Sequence, residues 1–235
     1  MYEQPDLYNA DCMDAMKEFP DKFFDLAIVD PPYGAGFTEG GGCKGWFSKY
    51  HQNAENTGVV QQDNTHSECE RKRNTQKIVA WDIAPEQEYF DELFRVSRNQ
   101  IIWGGNYFQL PPTRCFVVWR KLSISESFSM AMAEYAWTSF QSNAKVFECA
   151  PQGKKDDQRF HPCQKPIELY SWLLGQYAKE GDKILDTHAG SASSLVACHR
   201  SGFDCWGFEI DKDYYKKAKL RLDRAKDQVS IFELI

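Results

Sequence analysis

Four consecutive residues carry the most specific chemistry in this chain: Asp30-Pro31-Pro32-Tyr33. A carboxylate and a proline carbonyl side by side are two hydrogen-bond acceptors, which suits an exocyclic amine with two N–H donors. The aromatic ring beside them offers a face on which a planar base can stack. A second group lies far along the chain, where Asp186-Thr187-His188-Ala189-Gly190-Ser191-Ala192-Ser193 forms a small-residue turn and Glu209 follows it. Small residues let a ligand approach the backbone, and amides at a helix start favour a polar or anionic group. An acid ending the next strand can accept hydrogen bonds from ribose hydroxyls. An ordinary βαβ unit with a surface glutamate is the plain alternative. A dinucleotide oxidoreductase is the rival ligand reading, but the turn lacks the G-x-G-x-x-G spacing.

The elements that must hold these groups can be read from the pattern. Phe23 to Val29 is a short apolar run, as in a buried parallel strand, and two prolines end it because neither can donate to a ladder. Asp6–Asp11 reads as a first strand and Cys12–Phe19 as a helix. Glu86–Ser97 has helical apolar spacing, and Gln100–Gly105 and Cys115–Trp119 read as strands. Glu134–Phe140 and Lys145–Cys149 are expected to form a closing antiparallel pair. A helix is expected from Lys165 to about Lys179 and a strand before Thr187. A second helix, a strand over Phe203–Glu209 and an amphipathic helix from Asp211 follow. The alternation predicts one doubly wound, mostly parallel α/β sheet, with ligands at the carboxyl ends of its strands.

With 235 residues, 42% hydrophobic and 26% charged, the chain fits a single soluble domain, residues 1–235. Residues 34–79 are polar and aperiodic and leave directly from the Asp30–Tyr33 turn, so a recognition or lid role over the substrate is expected of them. No apolar run reaches membrane-span length, and the acidic N-terminus does not read as a signal peptide. The eight cysteines are scattered without a C-x-x-C pair, which argues against zinc and for a reducing cytoplasm. Cys12, Cys198 and Cys205 read as core thiols. A net charge of −6 is awkward for a nucleic-acid binder, although a local basic strip would suffice. Lys44, Trp46, Phe47 and Lys49 form one such strip, and Arg71, Lys72 and Arg73 a second. A solvated loop or helix face is the plain alternative for each, and for the second cluster alone it is the favoured one.

Asp30-Pro31-Pro32-Tyr33 resembles the catalytic motif of amino-methylating DNA methyltransferases, which use S-adenosylmethionine. Asp186–Ser193 resembles the D-P-F-x-G-S-G-T cofactor loop of that family, departing at Thr187, His188 and Ala192. His161-Pro162-Cys163-Gln164-Lys165-Pro166 is similar to the family's H-P-T-Q-K-P, which lines the methionine end of the cofactor; only Cys163 differs. Gln100–Phe108 also looks like a segment met in phage-borne and restriction-associated members. A catalytic turn ahead of the cofactor loop resembles the circularly permuted β-class.

The resemblance implies a Rossmann-like methyltransferase fold and assigns roles residue by residue. Asp30, Pro31, Pro32 and Tyr33 would be catalytic. Asp11 would hold the cofactor's adenine amine with Cys12 beside it, and Asp30, Lys165, Asp186, His188, Gly190, Ser191, Ser193 and Glu209 would complete the cofactor site. An Asp-led motif implies adenine N6 of a flipped-out base in DNA, with cytosine N4 as the alternative. Methylation of RNA or a protein glutamine, and a non-catalytic DNA- or cofactor-binding relic, are further alternatives. A homodimer and a cognate restriction endonuclease are plausible partners on the same resemblance. Pro162-Cys163 mimics the nucleophile dipeptide of cytosine carbon-5 enzymes, but it does not follow a strand in the catalytic position.

Overall fold

The computed structural model describes residues 2–34, 82–127, 131–153 and 159–229. Lys44, Trp46, Phe47, Lys49, Arg71, Lys72 and Arg73 lie outside the described residues. In chain order the elements are β1 (Leu7–Tyr8), α1 (Cys12–Lys17), β2 (Phe24–Val29), α2 (Gln87–Val96), β3 (Ser97–Trp103), β4 (Phe116–Lys121), β5 (Ala133–Thr138) and β6 (Lys145–Cys149). They continue with α3 (Ile167–Tyr177), β7 (Lys183–Asp186), α4 (Ser193–Arg200), β8 (Asp204–Phe208) and α5 (Lys212–Val229).

These residues fall into two compact units. The first comprises Met1–Pro31, Pro85–Ser123 and Ala133–Ile235, and it contains every strand named above. The second comprises Pro32–Ala84 and Ile124–Met132. Within the second unit the Gly34 amide donates to Asp82 Oδ1 at 3.1 Å, and Gly34 takes φ +60°. A Cβ on Gly34 would come within 2.8 Å of the Ala84 backbone nitrogen, so only glycine fits that turn.

The first unit is built on one eight-stranded sheet in the order β1-β8-β7-β2-β3-β5-β4-β6. The β1–β8, β8–β7, β7–β2, β2–β3 and β4–β6 pairings are parallel. β5 alone is reversed, running antiparallel to both β3 and β4. β2 is buried on both faces. Leu26 and Ile28 join the cluster that includes α3, α4 and α5 residues, and Ala27 and Val29 join the one that includes α1 and α2 residues. That two-sided burial explains its unbroken apolar sequence. The helices over β2 are amphipathic: Tyr89, Phe90, Leu93 and Val96 of α2 face the sheet. Burying each such side chain contributes on the order of 1.5–3 kcal/mol.

Two sequence expectations change. Glu134–Phe140 and Lys145–Cys149 do not pair with each other, because β4 lies between them and β6 runs parallel to β4. Burial decides the order. Ala136, Trp137 and Thr138 are buried and take an interior position, whereas β6 alternates exposed and covered residues, as a rim strand does. The first strand is also shorter than expected, at two residues. Asn9 leaves the ladder and its Nδ2 donates to the Glu209 carbonyl at 2.7 Å. Cys198 and Cys205 are core thiols, while Cys12 is only half-buried.

Candidate active site

β2 delivers Asp30 and the buried Pro31 at its carboxyl end, and the two prolines end the ladder there. Asp30 does not stand alone. The Lys165 ammonium contacts Asp30 Oδ2 at 2.5 Å and Glu134 Oε2 at 3.1 Å, and Glu134 Oε1 meets Lys121 Nζ at 2.5 Å. The four charges alternate in sign along the chain of contacts. The lysine side chains are 4% and 7% exposed, so solvent screens these pairs little. Each lysine also lies over an indole at 5.2 Å, Lys165 over Trp103 and Lys121 over Trp119.

The reversed strand makes this ladder. Glu134 stands opposite Trp119, and Ala136 opposite both Trp103 and Val117. The amino end of β5 therefore lies at the carboxyl edge of β3 and β4, beside Lys121. Burial by itself would raise the Glu134 carboxyl, yet Lys165 and Lys121 hold it down at about 2. Burial would likewise lower Lys165, but Asp30 and Glu134 raise it above the ordinary lysine value. Glu134 and Lys165 are thereby locked in their charged forms at neutral pH, and Asp30 has a cation bonded to it.

The other cluster forms where β7 and β8 end. Asp186 is 2% exposed, and its Oδ1 accepts the His188 amide at 3.0 Å while Oδ2 accepts the Ser194 hydroxyl. Glu209 accepts the Gly190 amide at 2.9 Å and the Asp211 amide at 2.8 Å. Burial pushes Asp186 up to about 6 and Glu209 up to about 7, against the pull of these donors. Gly190 takes φ +52°, and a Cβ there would lie 3.3 Å from the His161 ring. Ala192, where the resembling motif has glycine, adopts φ +59° at the cap of α4. An alanine in that left-handed conformation is strained by roughly 1–2 kcal/mol. Arg221 of α5 steadies the turn, donating to the Ser191 carbonyl at 2.7 Å and to Ser193 Oγ at 3.0 Å.

The 161–166 segment joins the two clusters. Its amino end packs His161 against Gly190 and, at 4.4 Å between centroids, against Tyr214 of α5. Its carboxyl end supplies Lys165 and then Pro166, the cap of α3. Cys163 is exposed, and its amide donates to His161 Nδ1 at 3.3 Å. Burial brings His161 down to about 3 and His188 down to about 4, so both rings are neutral. A further chain runs from the buried Tyr89 hydroxyl to Thr187 Oγ1 at 2.7 Å and on to His188 Nδ1 at 2.9 Å.

The structure thus gathers Asp30, Pro31 and Lys165 in one cluster and Asp186, His188, Gly190, Ser191, Ser193 and Glu209 in another. Asp11 is exposed and caps α1, its Oδ1 accepting the Met13 amide at 2.7 Å. Burial, with the Asp11 charge beside it, pushes the Cys12 thiol up to about 12, so it is neutral. Tyr33 belongs to the second unit and is half-buried. Glu134, Lys121, Tyr89 and Arg221 were not singled out from sequence. An acid inside the otherwise apolar start of β5, Ala133–Trp137, was the one available signal.

The mostly parallel sheet thus carries a carboxylate-and-proline turn at one strand end, and a small-residue loop and a following acid at two others, where open α/β sheets bind their ligands. The model of the N6/N4 DNA methylase family matches residues 45–220, and the chain belongs to that family. The match begins downstream of Asp30–Tyr33. The type II methyltransferase M2.MboI of Moraxella bovis is 22% identical over 252 residues, covering 92% of this chain and 86% of the relative. Among solved structures, the cytosine-N4-specific PvuII DNA methyltransferase superposes with a TM-score of 0.58 at 10% identity, covering 97% of this chain and 93% of that one. The M1.HpyAVI–SAM complex gives 0.54 at 16% identity, covering 92% and 98%. The fold is the Rossmann-like fold of S-adenosylmethionine-dependent DNA methyltransferases.

Proposed function

We propose that this protein methylates the N6 amine of a flipped-out adenine in DNA, using S-adenosylmethionine. The observation that supports it most is the Asp30–Pro31 acceptor pair, fixed at the end of β2 by a buried lysine in a chain of the DNA methylase family. The cofactor-end residues suit that molecule. Glu209 is a mostly buried carboxylate bonded to backbone amides, and ribose hydroxyls would add the donors that burial demands. Gly190 lets the loop backbone lie against the His161 ring, where a Cβ would come within 3.3 Å.

When bound, S-adenosylmethionine supplies a methyl group on a sulfonium, already activated for transfer. Adenine N6 is a poor nucleophile because its lone pair is delocalised into the ring. Asp30 and the Pro31 carbonyl accept its two N–H groups and pull the nitrogen toward a tetrahedral shape, which frees the lone pair. Alignment then supplies much of the acceleration. Asp30 need not be a strong base, since the nitrogen releases its proton readily once cationic. A base within a duplex cannot reach a strand-end turn, so it must leave the stack, and Tyr33 offers the ring to receive it. Six described cysteines are free thiols, which favours a cytoplasmic location.

The test is tritium transfer from labelled S-adenosylmethionine to unmodified genomic DNA, followed by nucleoside separation. Label in N6-methyladenine is the expected result. Label in N4-methylcytosine, the specificity printed for the PvuII neighbour, would keep the mechanism and overturn the base assignment.

A further inference from the structure

The ladder behind Asp30 is larger than its catalytic use requires. One buried lysine would orient a carboxylate, yet this lysine has a second carboxylate partner, Glu134, and that partner has a second lysine, Lys121. Four buried or half-buried charges cost desolvation, which a stability role alone does not justify: apolar residues of similar volume pack as well or better. What such an array does provide is a fixed geometry. Lys165 is held on three sides, by Asp30, by Glu134 and by the face of Trp103. Glu134 in turn is held between Lys165 and Lys121, and Lys121 is seated over Trp119.

Charge balance points the same way. An uncompensated Lys165 would place its full charge on Asp30, drawing the carboxylate in and making it a poorer acceptor for an amine. Glu134 shares that attraction, and Lys121 keeps Glu134 in place to do so. A carboxylate has about four acceptor sites, so a lysine contact and an amine contact are compatible.

We propose that Glu134 and Lys121 are positioning residues for methyl transfer, acting on Asp30 through Lys165 without touching the base or the cofactor. The proposal rests on the methyltransferase reading above. It predicts a loss in turnover that leaves cofactor affinity unchanged. The isosteric Glu134→Gln should lower kcat by about tenfold to a hundredfold, the scale on which small misplacements of a reacting group act. Lys121→Met, one contact further out, should lower it by about threefold. Because Lys121 acts through Glu134, the double variant should be no slower than Glu134→Gln alone.

The experiment is a set of single-turnover and steady-state methylation assays on the full chain, with S-adenosylmethionine affinity measured by calorimetry. Reductive methylation of Lys165 by formaldehyde and cyanoborohydride, read by mass spectrometry, is run on the same proteins. The expected outcome is a lower kcat in Glu134→Gln, an unchanged cofactor Kd, and faster labelling of Lys165 than in wild type. An unchanged kcat in a folded Glu134→Gln protein overturns the proposal, as does a loss confined to cofactor affinity or a fully additive double variant. Should Glu134→Gln fail to fold, Lys121→Met decides alone: its threefold drop supports the proposal and its absence ends it. Wild-type protein that methylates no base would sink the functional reading on which the proposal rests. Lys165 labelling that still follows Glu134 would mark that failure as one of the reading, not of the ladder.

Discussion

The two ends of the site treat buried carboxylates in opposite ways. At the end of β2, Asp30 and Glu134 are bonded to lysines, and Glu134 is held at about 2. At the ends of β7 and β8, Asp186 and Glu209 are bonded to a hydroxyl and to backbone amides, and burial raises them to about 6 and about 7. The first end is complete in itself and preorganised. The second carries carboxylates whose burial is incompletely offset, as expected where a ligand is to supply the remaining donors.

The largest effect that would break this comparison is at Asp30. Asp30→Ala should lower methylation by on the order of 10³-fold while leaving S-adenosylmethionine binding near wild type, because the loop and acid that would hold the cofactor belong to the other cluster. Joint loss of both activities would mean that Asp30 serves folding instead. Next in size, Lys165→Met leaves two carboxylates without their shared cation and should destabilise the protein by about 3–5 kcal/mol in urea unfolding at pH 7. Glu134 has its pKa lowered from 4.5, so its share of the ladder's stability is present above pH 4.5 and is lost as pH falls toward about 2. Glu209→Gln makes the contrast: unfolding stability at pH 8 should hold or rise, since this carboxylate has no lysine partner among the described residues to lose.

The smallest effect sharpens the comparison through pH. Glu209 rises from 4.5 to about 7 on folding, so the folded chain takes up a proton that the unfolded chain does not. This group therefore favours folding on the acid side, and that contribution disappears as pH rises through 7. Ligand binding runs the other way, because ribose hydroxyls donate to the ionised form. S-adenosylmethionine affinity should strengthen by about tenfold from pH 6 to pH 8, and Glu209→Gln should flatten that profile. A pH-independent affinity in the wild type would remove the distinction between the two ends.

The sequence by itself determined the parts whose physics is local. Two prolines after an apolar run force a strand to stop, so Asp30 had to lie at a strand end. Asp186, Gly190 and Ser191 after one strand and Glu209 after the next marked a candidate nucleotide site for the same reason. The strain at Ala192 is also local, being a glycine conformation adopted by another residue. Glu134 and Lys121 were not legible, because in sequence they are merely polar positions on two strands. Their meeting with Lys165 depends on β5 entering the sheet reversed between β3 and β4, in place of the expected hairpin with 145–149. Strand order is settled by which faces can be buried together across the whole sheet. That is a tertiary decision, and it alone put a paired ladder of charge behind the Asp30–Pro31 turn.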